Sequence, residues 1–177
     1  LPLPELIKRI PDAPPHIREA AAALRCVKWR YLDLATKVAT PRPWHWAYVP
    51  ETKYPFFRVG CYSNAVASMA PEGASSLYIE LNERSGETDM RGVIAGLVEM
   101  GVLTSAEDLR FAQEREIEYA YVVFDDAHRE ATSTLHAWLA EQGIRSCGRY
   151  GAWIYNSMED SMIQGMEAAD WALEGRA

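Results

Sequence analysis

Residues 148 to 165 read GRYGAWIYNSMEDSMIQG, and no other stretch of the chain constrains its backbone so closely. Gly148 and Gly151 flank Arg149 and Tyr150, which marks a turn. Trp153 and Tyr155 alternate as on a short strand, and Ser157 then opens a helix. Ser157 with Asp160 three residues on has the form of a capping box: the hydroxyl accepts from a first-turn N–H and the carboxylate reaches back. Such a first turn carries unpaired N–H groups and a partial positive charge. It is either an ordinary capped terminal helix or a seat for an anion or a polarised ring edge.

Working outward from that run, periodicity predicts a short helix over 4–10 and an alanine-rich one over 16–24, introduced by Pro14-Pro15. Strands follow over 27–38, 44–49 and 56–62, with a small, polar loop over 63–76. In the next strand Leu77, Ile79 and Leu81 face one way and Tyr78, Glu80 and Asn82 the other. A helix over 88–101 carries Gly92 and Gly96 one turn apart, which predicts the close approach of another element. The strand over 116–124 places Ile117, Tyr119, Tyr121 and Val123 on one face. A helix over 127–142 stops at Gly143, in the position of a C′ glycine. Short strands at 144–147 and 152–155 precede the last helix, 157–173. There Met158, Met162, Gly165, Met166, Ala169 and Leu173 share one face, and core packing is the expected use of its C-terminal half. The fold class is therefore α+β, a mixed, largely antiparallel sheet flanked by helices. At 177 residues one domain suffices, and no linker interrupts it.

Several function classes drop out. A net charge of −7 with no Lys/Arg run does not suit a nucleic-acid surface. No apolar stretch approaches the roughly 20 residues of a membrane helix. Three cysteines, Cys26, Cys61 and Cys147, lack CxxC spacing and suit reduced thiols in a cytoplasmic protein. His16, His45, His128 and His136 form neither HExxH nor a Cys/His cluster, so no metal site is expected. His45 between Trp44 and Trp46 reads as a structural histidine, with catalysis as the alternative. No GxSxG elbow supports a serine triad. No two of the eleven glycines lie two apart, so the dinucleotide cradle GxGxxG is missing. Arg58, mid-strand between Phe57 and Val59, needs a partner or a solvated cleft; it is either an exposed sheet arginine or a ligand-binding one.

The run at 148–165 resembles the C-terminal flavin-contacting segment of the FAD-dependent amine oxidase, protoporphyrinogen oxidase and UDP-galactopyranose mutase superfamily. Leu1-Pro2-Leu3-Pro4 resembles the turn where such chains leave the FAD domain. Pro55-Phe56-Phe57-Arg58-Val59 resembles the mutase strand whose arginine meets the substrate diphosphate, and Tyr121-Val122-Val123-Phe124-Asp125 resembles a further family element. The four matches follow the family's order. Beginning mid-motif, the chain reads as a piece of a longer protein.

The resemblance implies the substrate domain of a GR2-type flavoprotein over 1–147, with 148–177 returning to an FAD domain that this chain lacks. It implies that Gly148, Arg149, Ser157, Met158, Glu159 and Asp160 lie along FAD. Arg58, Tyr121 and Tyr155 would converge on the substrate from neighbouring strands, with Trp44 and Trp46 as walls. The full-length protein would be a FAD-dependent oxidoreductase of amine oxidase or protoporphyrinogen oxidase type. A sugar-nucleotide mutase, acting as an isomerase, and a stand-alone binding domain are the alternatives. The substrate would be a small molecule, anionic or nucleotide-linked. The 177 residues alone are expected to be inactive and not to retain FAD, and the FAD domain or a second copy would cover the exposed face. Three departures from the mutase pattern, Cys61 for Glu, Val122 for Pro and Ser157 for Asp, speak against mutase chemistry and leave the broader flavoprotein resemblance intact, while the Ser157-Met158-Glu159-Asp160 opening resembles the oxidoreductase members more closely.

Overall fold

The computed structural model describes residues 1–82 and 86–175. The order of elements is α1 (Leu3–Lys8), α2 (Pro15–Ala23), β1 (Cys26–Thr36), β2 (Trp46–Tyr48), β3 (Phe56–Cys61), α3 (Tyr62–Ala65), β4 (Ser76–Leu81), α4 (Met90–Glu99), β5 (Leu109–Val122), α5 (His128–Glu141), α6 (Gly148–Gly151) and α7 (Met158–Glu174). The five strands form one open antiparallel sheet in the order β2-β3-β4-β1-β5. The α+β expectation holds, and the sheet is antiparallel rather than mixed.

The chain divides into two compact units, Lys28–Ile117 and Leu1–Val27 with Glu118–Ala177. The physical reason is that each has its own core. In the first, Leu32, Leu34, Phe56, Val59, Leu77, Ile79 and Leu81 from the strands join Val93 and Leu97 of α4. The expected alternation in β4 is observed, with Leu77, Ile79 and Leu81 buried and Tyr78 and Glu80 partly exposed. Gly96 lets α4 lie against β3, since a Cβ there would meet Tyr54 at 2.7 Å and Phe56 at 3.0 Å. At Gly92 the close neighbour is instead the helix's own cap, Asp89, which accepts the Gly92 N–H at 2.9 Å.

In the second unit, Leu3 and Ile7 of α1, Ile17 and Ala21 of α2, Leu135 and Leu139 of α5, Val122 and Trp153 make the core. Helix α5 ends as expected: Gly143 has φ +69°, and the Ile144 N–H returns to the Leu139 carbonyl at 2.8 Å, the Schellman pattern.

Three expectations are corrected. The stretch 63–76 holds the turn α3 and a 3-10 turn at Ala67–Met69. Strand β5 begins at Leu109, and Ala120 and Val122 are its buried residues, while Ile117 is 42% exposed. Its outer stretch is charged and unburied, as suits a sheet edge. The segments 144–147 and 152–155 are not strands. Between them Gly148–Gly151 forms one helical turn, and Trp153 follows with φ +56°. Aromatic alternation there reflects a buried anchor, Trp153, and an exposed neighbour, Tyr155, rather than a pleat.

Candidate functional site

The side of the sheet away from the α4 core carries a set of polar and aromatic residues. Register sets them in rows. Tyr48 on β2 lies opposite Arg58 on β3, Arg58 opposite Glu80 on β4, and Glu80 opposite Tyr31 on β1. One step along, Trp46, Gly60, Tyr78 and Asp33 form the next row. Gly60 is required there, because a Cβ would sit 1.9 Å from the Tyr78 ring.

Arg58 is the centre of this face. Its Nη1 donates to Glu80 Oε1 at 2.5 Å and its Nη2 to the Tyr48 hydroxyl at 2.9 Å. The guanidinium lies 4.7 Å from the Tyr48 ring centroid, 5.6 Å from Phe57 and 5.8 Å from Trp46. Phe57 reaches the Arg58 side because a register shift between Phe56 and Arg58 breaks strict alternation. Burial pushes the Glu80 carboxyl above its ordinary range, and the Arg58 charge only partly offsets this. Beside this pair, Asp33 accepts from Arg115 Nε at 2.9 Å and from the Tyr62 hydroxyl at 3.4 Å. Burial, then the Asp33 charge, push the Tyr62 hydroxyl well up. Trp46 and Tyr48 are 51% and 59% exposed. Trp44 stands apart from them, packed against the core.

The other unit assembles a second cluster around the 148–157 run. Gly148, at φ +77°, adopts a turn conformation that L-residues resist, and its N–H donates to Gln164 Oε1 at 2.7 Å. Arg149 then stacks on Tyr155 and Tyr121, 4.6 and 5.4 Å from their centroids, and the two tyrosine rings are themselves stacked at 6.5 Å. Among the described residues Arg149 pairs with no carboxylate; its Nη2 reaches only the Ala120 carbonyl, at 3.5 Å. The fully buried Trp153 holds this segment in place. Its carbonyl meets His128 Nε2 at 2.8 Å, and its ring lies edge-on to Tyr119.

Helix α7 starts with the capping box read from sequence. Ser157 Oγ accepts the Asp160 N–H at 3.1 Å, and Asp160 Oδ2 accepts the Ser157 N–H at 2.8 Å. That backbone bond, followed by the bond from the Ser157 hydroxyl, holds the Asp160 carboxyl below its ordinary value. The stripe along α7 is not core. No α7 residue is buried, and Met158, Met162, Met166 and Leu173 are 84%, 65%, 69% and 66% exposed. A stripe at helical spacing says which residues share a face; it does not say that the chain itself covers them.

Of the residues singled out by resemblance, the fold brings Tyr121, Tyr155 and Arg149 together, and separately Arg58 with Trp46. Arg58 and Tyr121 are not on neighbouring strands, since β4 and β1 separate β3 from β5 in the sheet order. Glu80, Tyr48 and Asp33 join the Arg58 face unannounced by the sequence reading. The alternation in β4 already placed Glu80 on the side away from the core, but only the register reveals which cation it meets. No helix is long and apolar enough to cross a membrane among the described residues.

No family model matches the chain. Solved structures do. A reduced UDP-galactopyranose mutase superposes on all of it with a TM-score of 0.82 at 25% identity, over 40% of the mutase. A protein from Exiguobacterium sp. 255-15, assigned as a protoporphyrinogen oxidase, superposes on 97% of it with a TM-score of 0.66 at 14% identity, again over 40% of that protein. The chain thus spans about two fifths of the length of these structures. Both bear names from the FAD-dependent superfamily that the sequence resembles, so the resemblance stands at the level of the fold.

Proposed function

We propose that this chain supplies the substrate-binding sheet and the C-terminal cofactor-contacting helix of a FAD-dependent enzyme. The observation that carries the reading is the superposition of the entire chain on part of a UDP-galactopyranose mutase. In such enzymes the flavin supplies the redox or covalent chemistry.

The residues at the start of α7 fit one part of that cofactor better than another. Ser157 and Asp160 satisfy each other, while the remaining first-turn N–H groups have no acceptor inside the helix. The carboxylates of Glu159 and Asp160 stand in the same turn and would repel a phosphate. A neutral ring edge with acceptor atoms suits this end. Arg149, held by π faces and, among the described residues, by no carboxylate, adds a cation nearby in the sequence. Gly148 permits the turn that aims it. On the sheet, Arg58 with Trp46 and Tyr48 would bind and orient the substrate through a guanidinium fork and two aromatic surfaces.

Within this class, an oxidoreductase of amine oxidase or protoporphyrinogen oxidase type is the first reading, supported by the Ser157-Met158-Glu159-Asp160 opening. The higher TM-score of the mutase favours a sugar-nucleotide isomerase as the second.

The full-length protein should carry about one FAD, measured by visible absorbance and chromatography of the released cofactor, whereas residues 1–177 alone should be colourless. A colourless full-length protein overturns the proposal and leaves a binding module. Turnover of UDP-galactopyranose without net oxidation, against amine oxidation with peroxide release, separates the two reactions.

A further inference from the structure

The following rests on reading the Arg58 face as the substrate side. Arg58 and Glu80 face each other across β3 and β4, with side chains only 21% and 13% exposed. Every neighbour in their row is a phenol: Tyr48 from β2, in contact with Arg58, and Tyr31 from β1, in register with Glu80. The next carboxylate on this face, Asp33, is already held by Arg115. Among the described residues, Glu80 therefore depends on Arg58 for its compensating charge. A ligand phosphate or carboxylate arriving at Arg58 would place a second anion on the same cation. Two anions sharing one partly desolvated cation disfavour each other's charge, and the weaker acid protonates.

We propose that Glu80 sets the specificity of this face: an anionic ligand engages Arg58 only as Glu80 takes up a proton, whereas an uncharged ligand meets the two residues as a ready donor and acceptor. In the anionic case the proton comes from solvent and forms a Glu80 O–H; no other bond changes. Burial already biases Glu80 towards its neutral form, in the direction this exchange needs. Glu80 is a positioning residue, acting through Arg58.

The probe is UDP-glucose, whose diphosphate diester keeps its charge over the range used. Binding to the full-length protein is measured by calorimetry between about pH 5 and 8, the range in which small charge changes matter in proteins. Once Glu80 is ionised in the unliganded protein, affinity should fall about tenfold per pH unit, because each ligand carries in one proton. Titration in buffers of different ionisation heat should show uptake of about one proton per ligand, a readout that needs no variant. Glu80→Gln should bind at least as tightly as the wild type at its most acidic point and lose the pH dependence. Arg58→Ala should bind weakly at every pH.

Binding without proton uptake, a flat wild-type profile, or weaker binding by Glu80→Gln at high pH would each overturn the proposal. If a flavin-containing protein binds UDP-glucose independently of pH, only the Glu80 inference fails. If it fails to bind UDP-glucose at any pH, the anionic-substrate reading falls with it.

Discussion

The molecule holds two arginines against aromatic rings and treats their charges in opposite ways. Arg58 sits in a cross-strand row with a half-buried carboxylate 2.5 Å from its guanidinium. Arg149 lies on the faces of Tyr155 and Tyr121 with no carboxylate partner among the described residues. The first is a neutral pair whose charge depends on a titratable group. The second is a standing positive charge whose partners are ring quadrupoles. The difference follows from the elements beneath. Arg58 is fixed by strand register, which sets a residue from each neighbouring strand beside it. Arg149 is fixed by a single helical turn, and its surroundings come from what that turn is anchored to.

The anchor is the place to break the second arrangement. Trp153 is fully buried at positive φ, and its carbonyl ties the turn to α5 through His128. Trp153→Ala should cost roughly 3–5 kcal/mol, the usual range for truncating a buried aromatic. Urea unfolding followed by circular dichroism should show a lower midpoint with little change in slope. A loss below about 1 kcal/mol would mean that the Arg149 cluster stands without its anchor, and the contrast with the sheet-held arginine would lose its basis.

The first arrangement breaks in a pH-dependent way. Glu80 has its folded carboxyl raised above the ordinary value of 4.5. Its contribution to stability is therefore complete below that value and is lost as pH rises through the raised one. Removing Arg58 takes away the charge that opposes burial, so the folded carboxyl moves higher still and the loss extends further up the pH scale. Arg58→Ala should cost about 1–3 kcal/mol at neutral pH, the range for stranding a buried hydrogen-bonded partner. The penalty should shrink as pH falls towards the ordinary glutamate range. Chemical denaturation at a series of pH values checks this, and a penalty that grows on acidification would refute the assignment of Glu80.

How much of this was legible beforehand follows from the range of the forces involved. The capping box of α7, the C′ glycine of α5 and the alternation in β4 are local, and the residues that cause them lie within a few positions of one another. The Arg58–Glu80 pair spans 22 positions and depends on pairing between strands, which no single strand encodes. Phe57 shares the Arg58 side through a bulge, an added residue that periodicity cannot see. The C-terminal half of the α7 stripe carries the signature of a core face because helical spacing reports a shared face irrespective of what covers it. The turn around Trp153 was missed because alternating aromatics carry the same signature whether they stand on a pleat or flank a residue at positive φ.

Arg149→Ala gives the smallest effect in stability and sharpens the comparison most. Contacts with two tyrosine rings, on a partly exposed side chain, are worth about 0.5–1 kcal/mol together at this level of exposure. With no carboxylate partner, that cost should be the same at about pH 5 as at pH 8, unlike the cost at Arg58. Arg149→Lys should not restore it, since a compact ammonium lacks the planar surface that lies on Tyr155. In the full-length protein, however, flavin content should fall far more than stability does. A residue that served only to pack the turn would lower both in proportion. If Arg149→Ala leaves the flavin in place and the pH profile flat, Arg149 is an ordinary packing arginine. The cofactor reading would then have to rest on the first turn of α7 alone.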